Sequence, residues 1–206
     1  FRTGYGLTEA GPNTFFLPTH LVREKPGAVG HPLWHVEVRL EGGPDEGPAG
    51  PGELLIRGPH VFAGYWNKPE ESALALEGGW LHTGDLATRD ADGCHWIVGR
   101  AKEIIISGGE NIYPAEVENV LASHPSVAEV AVVGLPDPKW GEVPLAVAVC
   151  RTGTRPDGEE VLTFCRERLA RYKVPRSLVW VDSLPRTAAG KVDRRAVAAA
   201  HGQPRS

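Results

Sequence analysis

The sequence predicts a mixed α/β and α+β protein in two parts, a β-rich part over residues 1–102 and a compact α+β domain over residues 103–206. Three observations predict this. From Ala28 to Arg100, short apolar runs alternate with Gly, Pro and Asp turn signals, as in small sheets. After Lys102, stretches with the apolar spacing of helices lie between predicted strands. A chain of 206 residues is long enough to bury one large core or two small ones.

The first part is predicted to consist of short strands joined by turns. Strands are expected at residues 35–40, 53–57 and 94–98, and a short helix at residues 68–76. Residues 1–27 are predicted as a motif plus a loop, with few helix signals around Leu17-Pro18, and the Gly- and Pro-rich stretch 42–52 is predicted as a surface loop. Asp90–Gly93 is predicted as a hairpin turn. This succession of short strands predicts a small barrel-like or sheet subdomain.

The second part is predicted to alternate between strands and helices. Strands are expected at residues 103–106, 127–133, 143–150 and 177–181, and helices at residues 114–123, 156–172 and 193–200. Pro114 suits the first turn of a helix, and Val117 and Leu121 belong to the apolar stripe that follows it. This pattern predicts a domain with its own core.

Composition narrows the class of protein. Hydrophobic content of 41% and charge of 23% are ordinary for a globular chain, and no apolar run approaches the roughly 20 residues of a membrane span. Cys94, Cys150 and Cys165 are scattered, which favours buried thiols in a reducing, cytoplasmic compartment over disulfides or a zinc site. No signal-peptide pattern opens the chain. Basic runs with interleaved aromatic residues are absent, so nucleic acid is not an expected partner.

Charge is unevenly distributed along the chain. The net charge is −4, but residues 166–195 hold nine Lys/Arg side chains against Glu167, Asp182 and Asp193. This segment is either a solvated basic face or a surface that meets a polyphosphate, such as ATP or the nucleotide end of coenzyme A.

One longer stretch carries the strongest chemical signal. It comprises Gly79-Trp-Leu-His-Thr-Gly-Asp-Leu86 and the segment from Gly99 to Glu118. Within it, the carboxylate of Asp85 and the guanidinium of Arg100 suit the two hydroxyls of a ribose, the first as acceptor and the second as a rigid donor. Three further segments accompany it in order: Tyr5-Gly-Leu-Thr-Glu9, Gly52-Glu-Leu-Leu-Ile-Arg-Gly58 and Pro185-Arg-Thr-Ala-Ala-Gly-Lys191. Together these motifs resemble the adenylate-forming family, which includes acyl-CoA synthetases, luciferases and peptide-synthetase adenylation domains.

The resemblance assigns a role to each residue of the first motif. Tyr5, with Gly6 beside it, would lie against the adenine of ATP. Thr8 would donate its hydroxyl to a phosphate oxygen, and Glu9 would hold Mg²⁺. The alternative for Thr8 and Glu9 is a plain helix start, with Thr as cap and Glu favoured by the helix dipole. Asp85 and Arg100 would bind the ribose, whereas Gly52–Gly58 is expected to be structural, with Glu53 and Arg57 tying neighbouring loops.

The resemblance also assigns roles near the second part. Lys191 would neutralise the repulsion between the substrate carboxylate and the α-phosphate as the acyl-adenylate forms. Val192 follows it where a Walker loop needs Ser or Thr, so this is not a phosphate loop of that kind. Lys102 would be the hinge about which the second domain rotates. Gly108 and Gly109 would line the pantetheine tunnel, with Gly109 where a side chain would obstruct the thiol; the alternative is a simple tight turn.

Two further patterns lead away from this assignment. His31 and His35 have the i, i+4 spacing of a metal pair, but Pro32 and the strand-like sequence that follows spoil a helical face. Trp140 falls in a predicted loop that meets either a partner domain or CoA. The tryptophans in general are expected in the core or at domain contacts.

The resemblance implies a carboxylate–CoA ligase acting on fatty or aryl acids, with ATP, Mg²⁺ and CoA. The chain has no methionine and opens inside a motif, so we expect a fragment: the end of a truncated large domain followed by the mobile C-terminal domain. The phosphate loop and most of the acyl pocket would belong to the missing N-terminal part of the same enzyme, so the chain alone is expected to be inactive. Two alternatives remain open, a domain that loads a carrier protein and a non-catalytic binding module. Whether the chain associates with further copies of itself also remains open.

Overall fold

The computed structural model describes residues 3–44, 47–151 and 156–201. The chain divides into two compact units, residues 1–102 and residues 103–206, each of which is described by itself. The architecture is mixed α/β and rich in strands, which confirms the predicted fold class. Among the described residues, no helix is both long and apolar enough to cross a membrane.

The first unit contains two antiparallel sheets. One has the order β1-β2-β3 and the other the order β4-β5-β6-β7. Their strands are β1 (Thr3–Leu7), β2 (Gly11–Leu17), β3 (His31–Pro32), β4 (Glu37–Leu40), β5 (Ala49–Arg57), β6 (Leu81–Arg89) and β7 (His95–Arg100), and the helix is α1 (Pro69–Ala75). Over the described range the four-stranded sheet stays open at β4 and β7, so the barrel-like arrangement does not close. Phe15 from the first sheet packs with Leu54 and Ile56 from the second in one buried cluster.

Two loop predictions in this unit were wrong. Residues 1–27 include the hairpin of β1 and β2, in which Phe15 and Leu17 alternate into the core. The burial of these two side chains stabilises the strand although Gly11, Pro12 and Pro18 favour turns. In the stretch 42–52, β5 already begins at Ala49, because pairing with β6 supplies the hydrogen bonds of its backbone. The register of this pairing shifts between Ala49 and Gly52. Such an irregularity accommodates Pro51, which has no N–H to donate.

The hairpin turn predicted at Asp90–Gly93 joins β6 to β7 as expected. The Asp90 carboxylate accepts hydrogen bonds from the backbone N–H groups of Asp92 and Cys94, at 3.0 and 2.9 Å. Lys25 donates to the carboxylates of both Asp90 and Asp92 at 2.6 Å. The turn is thereby fastened to the loop that follows β2.

The second unit is one five-stranded sheet with helices on both faces. Strand order is β10-β11-β8-β9, with β12 parallel to β11. Its elements are β8 (Ile105–Ser107), β9 (Glu110–Ile112), α2 (Pro114–Ala122), β10 (Val127–Asp137), β11 (Gly141–Cys150), α3 (Gly158–Arg166), β12 (Ser177–Val181) and α4 (Arg194–His201). Because side chains alternate along a strand, Val132 packs with α2 and α3 on one face, while Ala131 and Val133 pack with α4 on the other.

Two boundaries in this unit differ from prediction. The helix expected over 156–172 ends at Arg166, after which the chain turns so that Leu169 and Val174 reach the same core cluster as α3. The strand expected from Glu103 starts at Ile105, because Ala101–Glu103 forms a 3₁₀ turn. Cys94 and Cys165 are buried, as the sequence predicts, and burial raises the pKa of the Cys165 thiol to about 11.

Candidate active site

Three of the predicted site residues meet in the first unit. Asp85 lies on β6 directly opposite Arg100 on β7, so their side chains are neighbours across the sheet. The Arg100 Nε lies 2.7 Å from Asp85 Oδ1, and the hydroxyl of Tyr5 donates to Asp85 Oδ2. The Asp85 carboxylate is buried, whereas half of the Arg100 side chain is exposed. Both carboxylate oxygens of Asp85, the residue expected to bind the ribose, therefore already have a partner in the protein, a hydrogen bond from Tyr5 and an ion pair with Arg100.

Tyr5 is held as a neutral donor in this cluster. Burial, and then its hydrogen bond to the Asp85 carboxylate, raise the pKa of Tyr5 above its usual range. Its ring meets the edge of Phe15 at a centroid distance of 5.8 Å. Gly6 beside it packs against backbone, since a Cβ there would lie 2.4 Å from the carbonyl oxygen of Gly11. This glycine lets β1 approach the start of β2.

Thr83 supports the cluster, and the sequence analysis did not identify it. Its carbonyl accepts a hydrogen bond from Arg100 Nη1 at 3.2 Å, and its hydroxyl accepts one from the Asp85 backbone N–H at 3.0 Å. The same hydroxyl donates to the carbonyl of Leu54 on the adjacent strand at 2.7 Å. The signal that could have revealed it is a threonine placed two residues before Asp85 in a strand. The neighbouring Gly84 donates its N–H to Glu53 at 2.8 Å, which gives Glu53 the loop-tying role expected of it.

Thr8 and Glu9 lie in a short 3₁₀ turn between β1 and β2, not at the start of an α-helix. The Glu9 carbonyl accepts from the backbone N–H of Phe62 at 2.8 Å, and Glu9 Oε1 accepts from the hydroxyl of Tyr65 at 2.8 Å. The Tyr65 backbone N–H in turn donates to Ser72 Oγ on α1 at 2.8 Å. Tyr65, which the sequence analysis did not single out, thus links Glu9 to the helix.

The oxygen donors around Glu9 fit Mg²⁺ that is bound together with the phosphates of a substrate. Within residues 3–44, 47–151 and 156–201, no three His, Cys, Asp or Glu side chains gather as a metal-binding group. Mg²⁺ is commonly held by one or two carboxylates together with substrate phosphates and water. Since Tyr65 occupies Oε1, the second carboxylate oxygen of Glu9 suits Mg²⁺ that arrives with a polyphosphate. The pair His31 and His35 likewise belongs to no such metal-binding group.

Lys191 lies at the end of a hairpin-like loop in the second unit. Arg186 and Val192 form a bridge across its base, and the Thr187 N–H donates to the Lys191 carbonyl at 2.8 Å. Gly190 has φ of +78°, a conformation that glycine adopts at low cost, and its N–H donates to the Thr187 carbonyl at 2.8 Å. The Lys191 side chain is exposed and makes no hydrogen bond or ion pair with any residue that the structure describes.

Gly108 and Gly109 form the two-residue turn between β8 and β9. Their φ values of +61° and +88° match the hairpin turn that requires positive φ at both positions. A Cβ at Gly108 would lie 2.7 Å from the Trp140 ring, whereas a Cβ at Gly109 would have no neighbour within 4 Å. The glycine that packing requires is therefore Gly108, and the space beside Gly109 is open. Lys102 is exposed in the 3₁₀ turn Ala101–Glu103.

A basic cavity opens on the second unit. Its volume is about 560 Å³, and it is lined by Arg166, Arg171, Val174, Pro175 and Arg176. Arg166 pairs with Glu159 at 2.6 Å and Arg176 pairs with Asp137, while Arg171 forms no ion pair within the described ranges. A cavity lined by three arginines, one of them without an ion pair in the described ranges, suits a phosphorylated ligand.

Comparison with known proteins connects both units to one family. A family model described as AMP-binding enzyme matches residues 1–66, and one described as AMP-binding enzyme C-terminal domain matches residues 116–191. A feruloyl-CoA synthase of Amycolatopsis sp is 50% identical over 194 residues, which are 93% of this chain and 40% of that protein. An indoleacetate–CoA ligase of Aromatoleum aromaticum is 47% identical over 190 residues, which are 91% of this chain and 37% of the ligase. The chain thus spans about 40% of the length of the curated relatives it matches.

Solved structures give the same result. The o-succinylbenzoate CoA synthetase of Bacillus subtilis, in complex with its acyl-adenylate intermediate, superposes with a TM-score of 0.88 and 41% identity over 95% of this chain and 40% of its own. An amide bond synthetase of Marinactinospora thermotolerans superposes with a TM-score of 0.87 and 40% identity over 97% of this chain and 42% of its own. From the two family models, these relatives and the shared fold, the chain belongs to the adenylate-forming family of AMP-binding enzymes.

Proposed function

We propose that this chain is the C-terminal portion of a carboxylate–CoA ligase, which forms acyl-AMP and pyrophosphate from an acid and ATP and then transfers the acyl group to CoA. The observation that carries the proposal is Lys191, whose ammonium group ends a hydrogen-bonded loop without a partner among the described residues. A lysine left unpaired is available to two anions that must approach each other.

The residues of the first unit would bind the nucleotide. Tyr5 would lie against the adenine, Thr8 would donate to a phosphate oxygen, and Asp85 with Arg100 would receive the ribose hydroxyls. Each carboxylate oxygen of Asp85 can accept a second hydrogen bond, so a ribose hydroxyl would bind Oδ2 beside the Tyr5 hydroxyl or in its place, while Arg100 keeps Oδ1. Glu9, oriented by Tyr65, would hold Mg²⁺, which would offset the negative charge of the phosphates.

Lys191 would act in the first half-reaction. The substrate carboxylate and the α-phosphate are both anionic, and a cation placed between them stabilises the charge that develops as the new bond forms. Gly108 and Gly109 would act in the second half-reaction, in which the thiol of CoA displaces AMP. The open space beside Gly109 supports a route for a slender pantetheine arm, and Lys102 would serve as the hinge between the two states.

The identity of the relatives favours an aromatic acid. Their names specify feruloyl, indoleacetate and succinylbenzoate groups, all of which carry aromatic rings. The cavity lined by Arg166, Arg171 and Arg176 supports CoA as the acceptor, because it would bind the phosphates at the nucleotide end of that molecule. The buried thiols of Cys94 and Cys165 support a reducing, cytoplasmic location.

The experiment is carboxylate-dependent ATP–pyrophosphate exchange. We would compare the chain alone with the chain joined to the complementary N-terminal part of the Amycolatopsis feruloyl-CoA synthase, using ferulate and Mg²⁺. The chain alone should be silent, because the phosphate loop and acyl pocket would lie in the N-terminal part, and the chimera should exchange. Lys191→Ala should lower exchange by about 10²–10³-fold, the range found for removal of one group that stabilises a transition-state charge.

Two controls separate the alternatives. Full exchange by Lys191→Ala would contradict the catalytic role and favour a binding module. Product formation from preformed acyl-AMP with CoA, with a pantetheinylated carrier protein and with a free amine would identify the acceptor. The choice of acid would be measured in the full-length parent, since the acyl pocket of the chimera belongs to the donor.

A further inference from the structure

Arg186 connects the Lys191 loop to the sheet of the second unit. Its Nη1 donates to the carbonyl of Gly190 at 2.8 Å, and its Nη2 donates to Glu129 Oε2 on β10 at 2.6 Å. Glu129 lies opposite Val149 in the pairing of β10 with β11, just after an irregularity in the register, so the sheet holds its backbone in place. The guanidinium therefore joins a rigid strand to the backbone at the tip of the loop.

The carbonyl that Arg186 binds belongs to the peptide unit between Gly190 and Lys191. Fixing that oxygen fixes the plane of the peptide before Lys191. The Thr187 N–H holds the Lys191 carbonyl on the other side, so the two bonds together fix the direction in which the Lys191 side chain leaves the backbone. Gly190 adopts φ of +78° and has open space around it, so the glycine itself gives the loop little restraint. The restraint must come from hydrogen bonds.

An arginine suits this task better than other cations. A guanidinium offers several N–H donors in a planar fork, so one side chain can bind a carboxylate and a carbonyl at once. A lysine ammonium at the same position is a point charge on a flexible stem, and it would keep the attraction to Glu129 without fixing the Gly190 carbonyl. The side chains of Arg186 and Glu129 are 47% and 46% exposed. An exposed ion pair adds little to the free energy of unfolding. We therefore infer that the pair of Arg186 and Glu129 acts on the local order of the loop that carries Lys191.

We propose that Arg186 is a positioning residue for Lys191, holding the loop so that the ammonium group is presented in one direction before substrate arrives. This inference rests on the proposed role of Lys191 in adenylation. Preorganisation of this kind matters because a displacement of about 1 Å in a catalytic group costs on the order of 10²-fold in rate.

The test has two readouts, the first of which needs no activity. In the 206-residue chain, amide hydrogen exchange of Thr187 and Gly190 reports the two N–H groups that are bonded within the loop. Arg186→Lys should lower their protection about tenfold, which corresponds to the loss of one hydrogen bond. Arg195→Lys is the matched control, because Arg195 is exposed on α4 and forms no bond with the described residues. It should leave the protection unchanged.

The second readout is the kinetics of each half-reaction in the chimera. Arg186→Lys should lower kcat for pyrophosphate exchange by about 10–10²-fold with the KM for ATP unchanged. Thioester formation from preformed acyl-AMP should be unaffected, since Lys191 is assigned to the first step only. Arg195→Lys should leave both steps unchanged.

The outcomes separate this inference from the proposed function. Unchanged loop protection in Arg186→Lys would overturn the positioning role, whatever the enzyme does. An equal loss in both half-reactions would also overturn it, since that would indicate a general structural defect. Full exchange by Lys191→Ala would instead overturn the proposed function and remove the basis on which the inference rests. Loss of protection together with a selective loss of exchange supports it.

Discussion

At Asp85 the sequence predicts a carboxylate that accepts hydrogen bonds from two ribose hydroxyls. In the structure that carboxylate accepts a hydrogen bond from Tyr5 and forms an ion pair with Arg100. The reason is the same in both cases, because the Asp85 carboxylate is a buried anion and needs partners that donate hydrogen bonds or carry positive charge. A buried carboxylate without them costs several kcal/mol. The protein donors keep the site satisfied, and a nucleotide would bind beside one of them or in its place.

This arrangement predicts the effect of removing the Tyr5 hydroxyl. Tyr5→Phe should lower the free energy of unfolding by about 1–3 kcal/mol, because Asp85 Oδ2 loses a donor in a buried position. Tyr172→Phe is the control and should stay within about 0.5 kcal/mol, since that side chain is partly exposed and its hydroxyl forms no hydrogen bond in the described part of the chain. Urea unfolding measures both. Equal midpoints for the two variants would show that Asp85 does not depend on Tyr5.

A second residue-scale prediction concerns His95, which is buried against Phe15 with neither ring nitrogen hydrogen-bonded to a described residue. Burial, and then the charge of Arg89, lower the pKa of His95 to about 4 from its ordinary value of 6.5. Between these values the unfolded chain binds a proton that the folded chain does not. Stability should therefore fall as the pH drops from about 6.5 to 4, by about 3 kcal/mol in total.

His95→Phe removes the titrating group and should flatten that part of the pH profile. His20→Phe, at an exposed position in the same unit, should leave the profile as in the unsubstituted chain. The measurement is urea unfolding at several pH values between 4 and 7. If both variants kept the full loss at low pH, the acid sensitivity would have another source.

At the scale of elements, helix α3 shows how a cap and a core define a helix. Asp157 precedes its first residue and accepts a hydrogen bond from the Glu159 N–H at 3.1 Å, which satisfies a donor that the helix leaves free. Asp157→Ala should cost about 1 kcal/mol of stability, while Asp157→Asn, which keeps an acceptor, should cost much less. Thermal or urea unfolding distinguishes the two. Equal losses would mean that the negative charge matters more than the hydrogen bond.

The elements also show what the sequence could and could not predict. Strands with strong apolar patterns, such as β10 and β12, and the hairpin turn at Asp90–Gly93 followed from local signals. The β1–β2 hairpin did not, because its Gly and Pro residues are typical of turns while the burial of Phe15 depends on residues that lie more than 20 positions further along the chain. The early end of α3 has a similar origin, since Leu169 leaves the helix to reach the core.

The same limit applies to the site. Tyr5, Asp85 and Arg100 were identified from motifs, and the structure brings them together. Thr83, Tyr65 and Arg186 escaped notice because each acts through a partner distant in sequence. Likewise, the packing of Gly108 on Trp140, more than 30 residues away, did not follow from the sequence, which indicated only that a side chain at Gly109 would obstruct the thiol. Supporting contacts of this kind require the fold.

For the whole molecule, each unit has its own buried core. In the second unit the sheet is covered on both faces, by α2 and α3 on one side and by α4 on the other. A peptide of residues 103–206 should therefore fold alone, with a cooperative urea transition and dispersed amide resonances. The matched control is Leu121→Ala in the same peptide, which should lower its stability by about 2–5 kcal/mol. A gradual transition without resonance dispersion would contradict an independent core.

Trp140 makes movement of the turn formed by Gly108 and Gly109 detectable by fluorescence. Its ring lies against Gly108, its backbone carbonyl accepts the Gly108 N–H at 2.8 Å, and 46% of its surface remains exposed. An indole ring that is partly exposed to solvent and partly covered by a turn changes its fluorescence emission when the turn moves. Subtracting the spectrum of Trp140→Phe from that of the unsubstituted chain isolates this one fluorophore among the six tryptophans. The chain thus carries a native reporter at the turn where the thiol of CoA is proposed to pass.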